Sequence, residues 1–70
     1  MITFYKLWDY CNRKDINKNE LKSGAHLSNS TITKLTNNKV VTTESINKIC
    51  TYLHVQPHQI MEWEDESNKK

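Results

Sequence analysis

Three residues of the N-capping type, Asn17, Ser28 and Thr42, stand eleven and fourteen positions apart, and no apolar run between them exceeds two residues. The side-chain oxygen of each can accept a backbone N–H from the first turn of a following helix. Each such helix must then end before the next cap, which limits it to about three turns. The apolar complement of each segment is small: Leu21 after Asn17, Ile32 and Leu35 after Ser28, and Ile46, Ile49, Cys50 and Leu53 after Thr42. Helices this short are not stable alone in water. Such a chain can fold only as several short helices that share one core. Seventy residues allow one domain and no second.

The remaining elements follow from periodicity and punctuation. Leu7, Trp8 and Cys11 form one stripe of a first helix over Tyr5 to Lys14. Asp15, Ile16 and Asn17 supply a turn and a cap for a second helix over Lys18 to Gly24. The third runs from Ser28 to Asn37. The fourth follows the capping pair Thr42 and Thr43, and its apolar residues at i, i+3, i+4 and i+7 give the clearest amphipathic pattern in the chain. Pro57 suits the first position of a very short fifth helix carrying Ile60 and Met61, because its missing N–H would be unpaired there. Ile2, Thr3, Phe4 and Tyr5 alternate at one end, and Met61, Glu62, Trp63 and Glu64 at the other, which predicts two short strands able to pair. Residues 1–66 are expected to form the domain and 67–70 a frayed tail.

The formal net charge is +2, and four of the eight acids crowd into Glu62, Glu64, Asp65 and Glu66. From Gly24 to Val41 there is no Asp or Glu at all. A solvated surface helix ordinarily mixes acids and bases at i, i+4. The third helix instead has only Ile32 and Leu35 to bury, while Asn29, Ser30, Thr33, Lys34 and Asn37 offer amides, hydroxyls and an ammonium. These groups hydrogen-bond base edges and phosphates. A face without carboxylates is what a polyanion requires.

In order, these features make a capped short helix, a tight turn at Ala25, His26 and Leu27, and a second short helix, which is the arrangement of a helix-turn-helix. The chain resembles the Cro/repressor-type (Xre) helix-turn-helix regulators through I-N-K-N-E-L at 16–21, L-S-N-S-T-I-T-K-L at 27–35, N-N-K at 37–39 and S-I-N-K-I-C-T-Y-L at 45–53. The likeness spans residues 5–62. The ends, with the I-x-x-W pattern Ile60-Met61-Glu62-Trp63, resemble the small dimeric repressors of cytolysin-operon type within that family, in which an N-terminal strand pairs with a C-terminal one.

The resemblance implies an all-α, five-helix Cro/repressor-like domain with a two-stranded antiparallel ribbon joining its ends. It implies a dimeric repressor of transcription that reads a palindromic double-stranded DNA operator. Asn29, Ser30, Thr33 and Lys34 would face the bases, with Asn29 suited to adenine and Lys34 to guanine. Asn17, Lys18, Ser28, Asn37, Asn38, Lys39, Thr42 and Thr43 would hold phosphates. Ile60, Met61 and Trp63 would form the dimer contact. Two positions depart from the family pattern. His26 occupies a turn that usually has glycine, while Gly24 lies in the helix before it, and Lys22 replaces a usually small residue facing the third helix. Histidine tolerates positive φ better than most residues, so the turn can form, and the Lys22 stem is expected to run past Ile32 to solvent. A protein-interaction module on the same fold, antitoxin-like or inhibitory, is the alternative.

Other chemistries find little support. Cys50, His54 and His58 recur at every fourth residue, but Pro57 breaks their helical face and no fourth ligand is evident, so no metal is expected. No paired carboxylates, nucleophile and base, or Gly-rich phosphate loop point to an enzyme, a cofactor or a small-molecule ligand. Cys11 and Cys50 read as small core hydrophobes, with a redox pair as the lesser alternative. With no run of eighteen apolar residues and no signal-peptide pattern at Met1 to Trp8, a cytoplasmic location without a membrane partner is expected.

Overall fold

The computed structural model describes residues 1–65, so residue 66 and the expected tail at 67–70 lie outside the described residues. The chain runs β1 (Ile2–Thr3), α1 (Tyr5–Arg13), α2 (Lys18–Gly24), α3 (Asn29–Thr36), α4 (Thr43–Leu53), a 3-10 turn (Pro57–Gln59) and β2 (Glu62–Trp63). Leu7, Leu21, Leu35, Ile49 and Ile60 are the largest fully buried side chains. Each of the four α-helices thus gives one residue to the centre, and the residue after the 3-10 turn closes it.

All three expected caps form. Asn17 Oδ1 accepts from the Glu20 N–H at 2.8 Å, while the Glu20 carboxylate accepts from the Asn17 N–H at 2.9 Å. This reciprocal pair is a capping box. Ser28 Oγ accepts from the Thr31 N–H at 3.1 Å, and Thr42 Oγ1 from the Ser45 N–H at 3.2 Å. The helices end by a shared device as well. Asp15, His26, Asn38 and His54 all have positive φ, between 55° and 62°. In each case the next residue's N–H reaches back to a carbonyl one turn inside the helix: Ile16 to Cys11, Leu27 to Lys22, Lys39 to Lys34 and Val55 to Cys50, at 2.8–3.2 Å. These are Schellman-type terminations, which usually place glycine in the left-handed position. Here Asp, His and Asn serve instead, the non-glycine residues that best tolerate it.

The single glycine has another task. A Cβ on Gly24 would lie 2.2 Å from the Tyr52 ring, so the bare backbone of α2 is what lets α4 lay an aromatic side chain against it. This accounts for the displacement of glycine out of the turn and into the helix.

The ribbon forms with Ile2 opposite Trp63 and Thr3 opposite Glu62, antiparallel. It is shorter than the alternating patterns suggested, because Phe4 leaves it to start α1 and is itself buried. The fifth helix is corrected to a single 3-10 turn with Ile60 and Met61 just beyond it; the Ile60 and Met61 N–H groups both reach back to the Pro57 carbonyl at 3.0 Å, and β2 begins directly after them at Glu62. Cys11 and Cys50 are free thiols, and burial pushes both up from their ordinary pKa, away from the thiolate that redox chemistry uses. Among the described residues no three His, Cys, Asp or Glu side chains converge as a metal site, and no helix is long and apolar enough to cross a membrane.

Candidate nucleic-acid interface

The outward face of α3 follows from helical geometry. At about 100° per residue, Asn29, Thr33, Asn37, Ser30 and Lys34 fall within an arc of about 140°. All five are exposed, while Leu35 on the opposite side is fully buried and Ile32 half-buried beside it. The side chains expected to read bases therefore share one solvent-facing surface. Nearby, Leu21 holds α2 to the core, Leu27 is buried in the turn, and His26 has φ 57° as the turn demands. The Lys48 ammonium donates to the His26 carbonyl at 3.5 Å, which ties the turn to α4. At the far end of α3, Trp8 Nε1 donates to the Leu35 carbonyl at 3.4 Å and anchors the helix to α1. A short helix with a narrow apolar stripe is thus held at both ends.

The electrostatics of this surface are one-sided. Between Glu20 and Glu44 there is no acidic side chain, and Glu20 is committed to its capping box. Lys34 and Lys39 are exposed and form no ion pair among the described residues. Lys18, at the start of α2, is exposed, and its ammonium lies 4.9 Å from the centroid of the Trp8 ring, a cation–π contact.

The expected phosphate-holding residues divide into three kinds. Lys18, Lys39, Thr43 and Asn37 are exposed, although Asn37 spends one N–H on the Thr33 carbonyl at 3.0 Å. Asn17, Ser28 and Thr42 hold caps through their oxygens. Asn17 keeps its Nδ2 for a ligand, whereas the Thr42 O–H already donates to Ser45 Oγ at 3.2 Å and Ser28 Oγ shares a hydrogen bond with Thr31 Oγ1 at 3.1 Å, so these two offer mainly the first-turn backbone. Asn38 is different. Its Oδ1 accepts from the Phe4 N–H at 2.8 Å, thirty-four positions away. Its amide therefore secures the start of α1, and only its Nδ2 remains for a ligand.

Two features were not visible in the sequence. Lys22 does not simply run to solvent past Ile32: its ammonium donates to Asn29 Oδ1 at 2.9 Å. Ile60, expected in a subunit contact, is fully buried within the protomer, whereas Met61 is half-buried and Trp63 is 64 % exposed. The strand partner of Trp63, Ile2, is 40 % exposed, and Val40 is 89 % exposed. Ile2 and Val40 line a groove of about 360 Å³ with Phe4, Val41 and Met61.

A family model described as the Cro/C1-type helix-turn-helix DNA-binding domain matches residues 6–66. Among solved structures, a crystal structure of the transcriptional regulator VanUg, Form II, is similar with a TM-score of 0.84 and 33 % identity, over 87 % of this chain and 81 % of that one. No curated protein matches the chain.

Proposed function

The chain belongs to the Cro/C1-type helix-turn-helix DNA-binding family, and on that premise we propose that it is a dimeric transcriptional repressor that inserts α3 into the major groove of a palindromic operator. The observation that carries this reading is the acid-free, exposed arc of α3 opposite Leu35, with Asn29, Ser30, Thr33 and Lys34 on it. Those four residues read base edges, while Lys18, Lys39, Thr43, Asn37 and the capped starts of α2, α3 and α4 hold phosphates without reading sequence. Likeness to a transcriptional regulator supports the regulatory role. The partner is a second copy of the chain, seated on the exposed Ile2 and Trp63 strand pair and on the adjoining groove of Ile2, Val40 and Met61. The two α3 helices then meet successive major grooves about 34 Å apart. Repression follows from occupying promoter DNA.

A gel-shift titration on the DNA upstream of the protein's own gene and on a random duplex, at two salt concentrations, tests this. Asn29→Ala and Lys34→Ala should relax the preference between the two DNAs, by ~1–3 kcal/mol per lost base pair contact. Lys18→Ala and Lys39→Ala should weaken binding to both and reduce the salt slope by about one each. Equal losses on both DNAs for the first pair would overturn their role as readers.

A further inference from the structure

The contact between Lys22 and Asn29 settles how Asn29 presents itself. An amide side chain can be turned either way, with oxygen or nitrogen outward. An ammonium, however, has donors and no acceptor. Since Lys22 Nζ lies 2.9 Å from Asn29 Oδ1, the oxygen must face the lysine and Nδ2 must face away. Among the described residues no carboxylate pairs with Lys22, so its other two N–H groups remain available beside the amide.

The start of α3 therefore presents donors. In the major groove guanine offers two acceptors, N7 and O6, whereas adenine offers N7 and an amino donor. Bidentate pairing with adenine needs Asn29 Oδ1 outward. The second lone pair of that oxygen does not restore it, because an amino group approaching there meets the positive charge of Lys22. We propose that Lys22 is a positioning residue for specificity, which turns Asn29 from an adenine reader into one half of a donor-only head that selects guanine. This rests on the reading that α3 enters the major groove. It replaces the adenine contact that the resemblance implied for Asn29.

The test is selection of duplexes from a fully randomised DNA pool by the wild-type protein, Asn29→Ala, Lys22→Met and Lys22→Arg. The position at which Asn29→Ala loses selectivity should be guanine in the wild-type consensus, preferred over adenine by on the order of tenfold. Lys22→Met keeps the apolar stem and removes the donor, and should move that position to adenine. Lys22→Arg retains donors and should keep guanine. Adenine at that position in the wild-type consensus would overturn the inference without recourse to either Lys22 variant. So would a Lys22→Met consensus identical to the wild type's. A wild-type protein that enriches no sequence would instead overturn the DNA-reading function itself, and the inference with it.

Discussion

Replacing Gly24 with alanine should destabilise this protein, against the usual effect of that change in a helix. Alanine in place of glycine ordinarily stabilises a helix by ~0.5–1 kcal/mol, mainly through backbone entropy. Here the added Cβ would fall 2.2 Å from the far end of the Tyr52 ring, well inside contact distance, so the ring has to swing away from α2. Tyr52 is 38 % exposed, which leaves most of its surface covered. A tyrosine can bury roughly 150–250 Å². Swinging the ring fully off α2 would uncover at most on the order of 100 Å², which at ~25 cal/mol per Å² sets an upper bound of about 2.5 kcal/mol. Set against the helix gain, Gly24→Ala should lose up to about 1.5–2 kcal/mol in urea denaturation followed by circular dichroism. In a Tyr52→Ala background the obstacle is gone, and the same change should stabilise by ~0.5–1 kcal/mol. The two backgrounds therefore differ by up to about 2–3 kcal/mol, as expected for residues in direct contact. If Gly24→Ala stabilises both backgrounds equally, the ring does not occupy that space and the reason given for the displaced glycine is wrong.

The left-handed helix ends give a paired test. Asp15→Gly and His54→Gly should each raise stability by ~0.5–1 kcal/mol, because glycine relieves the positive-φ strain at residues whose side chains are exposed. Asn38→Gly should lower it by about 1 kcal/mol, since it removes the acceptor of the Phe4 N–H. In thermal unfolding each kcal/mol appears as a shift of about 4–8 °C for a domain of this size, and a uniform response at all three sites would refute the distinction. Trp63→Lys should convert the proposed dimer to a monomer in sedimentation equilibrium while circular dichroism stays unchanged, because Trp63 is exposed in the protomer. Wild-type protein that sediments as a monomer would remove the subunit surface.

The local chemistry of this fold is legible in the residues themselves. Asn17, Ser28 and Thr42 cap their helices because a short side-chain oxygen needs no information beyond three positions along the chain. His26 takes its left-handed turn for an equally local reason. The arc of α3 follows from helical period once Ile32 and Leu35 face inward. What stayed hidden depends on how elements meet. The bond from Asn38 to Phe4 spans thirty-four positions, and nothing beside Asn38 distinguishes it from Asn37, which bonds within its own helix. Lys22 and Asn29 are seven positions apart, but their meeting depends on the angle of the turn between α2 and α3. Ile60 and Trp63 lie in one segment, yet one closes the core and the other faces solvent. Alternation suggested strand there without giving its length, and Pro57 marked the start of the short turn at Pro57–Gln59 without giving its type.

The surface that meets DNA can be mapped directly by titrating the isotope-labelled protein with the duplex from upstream of its own gene and following backbone amide shifts. The largest changes should fall on residues 28–37, with smaller ones at Lys18, Lys39 and Thr43, and the whole pattern should fade as salt is raised. Shifts confined to Ile2, Met61 and Trp63, with residues 28–37 unmoved, would contradict the assignment of α3 as the reading helix.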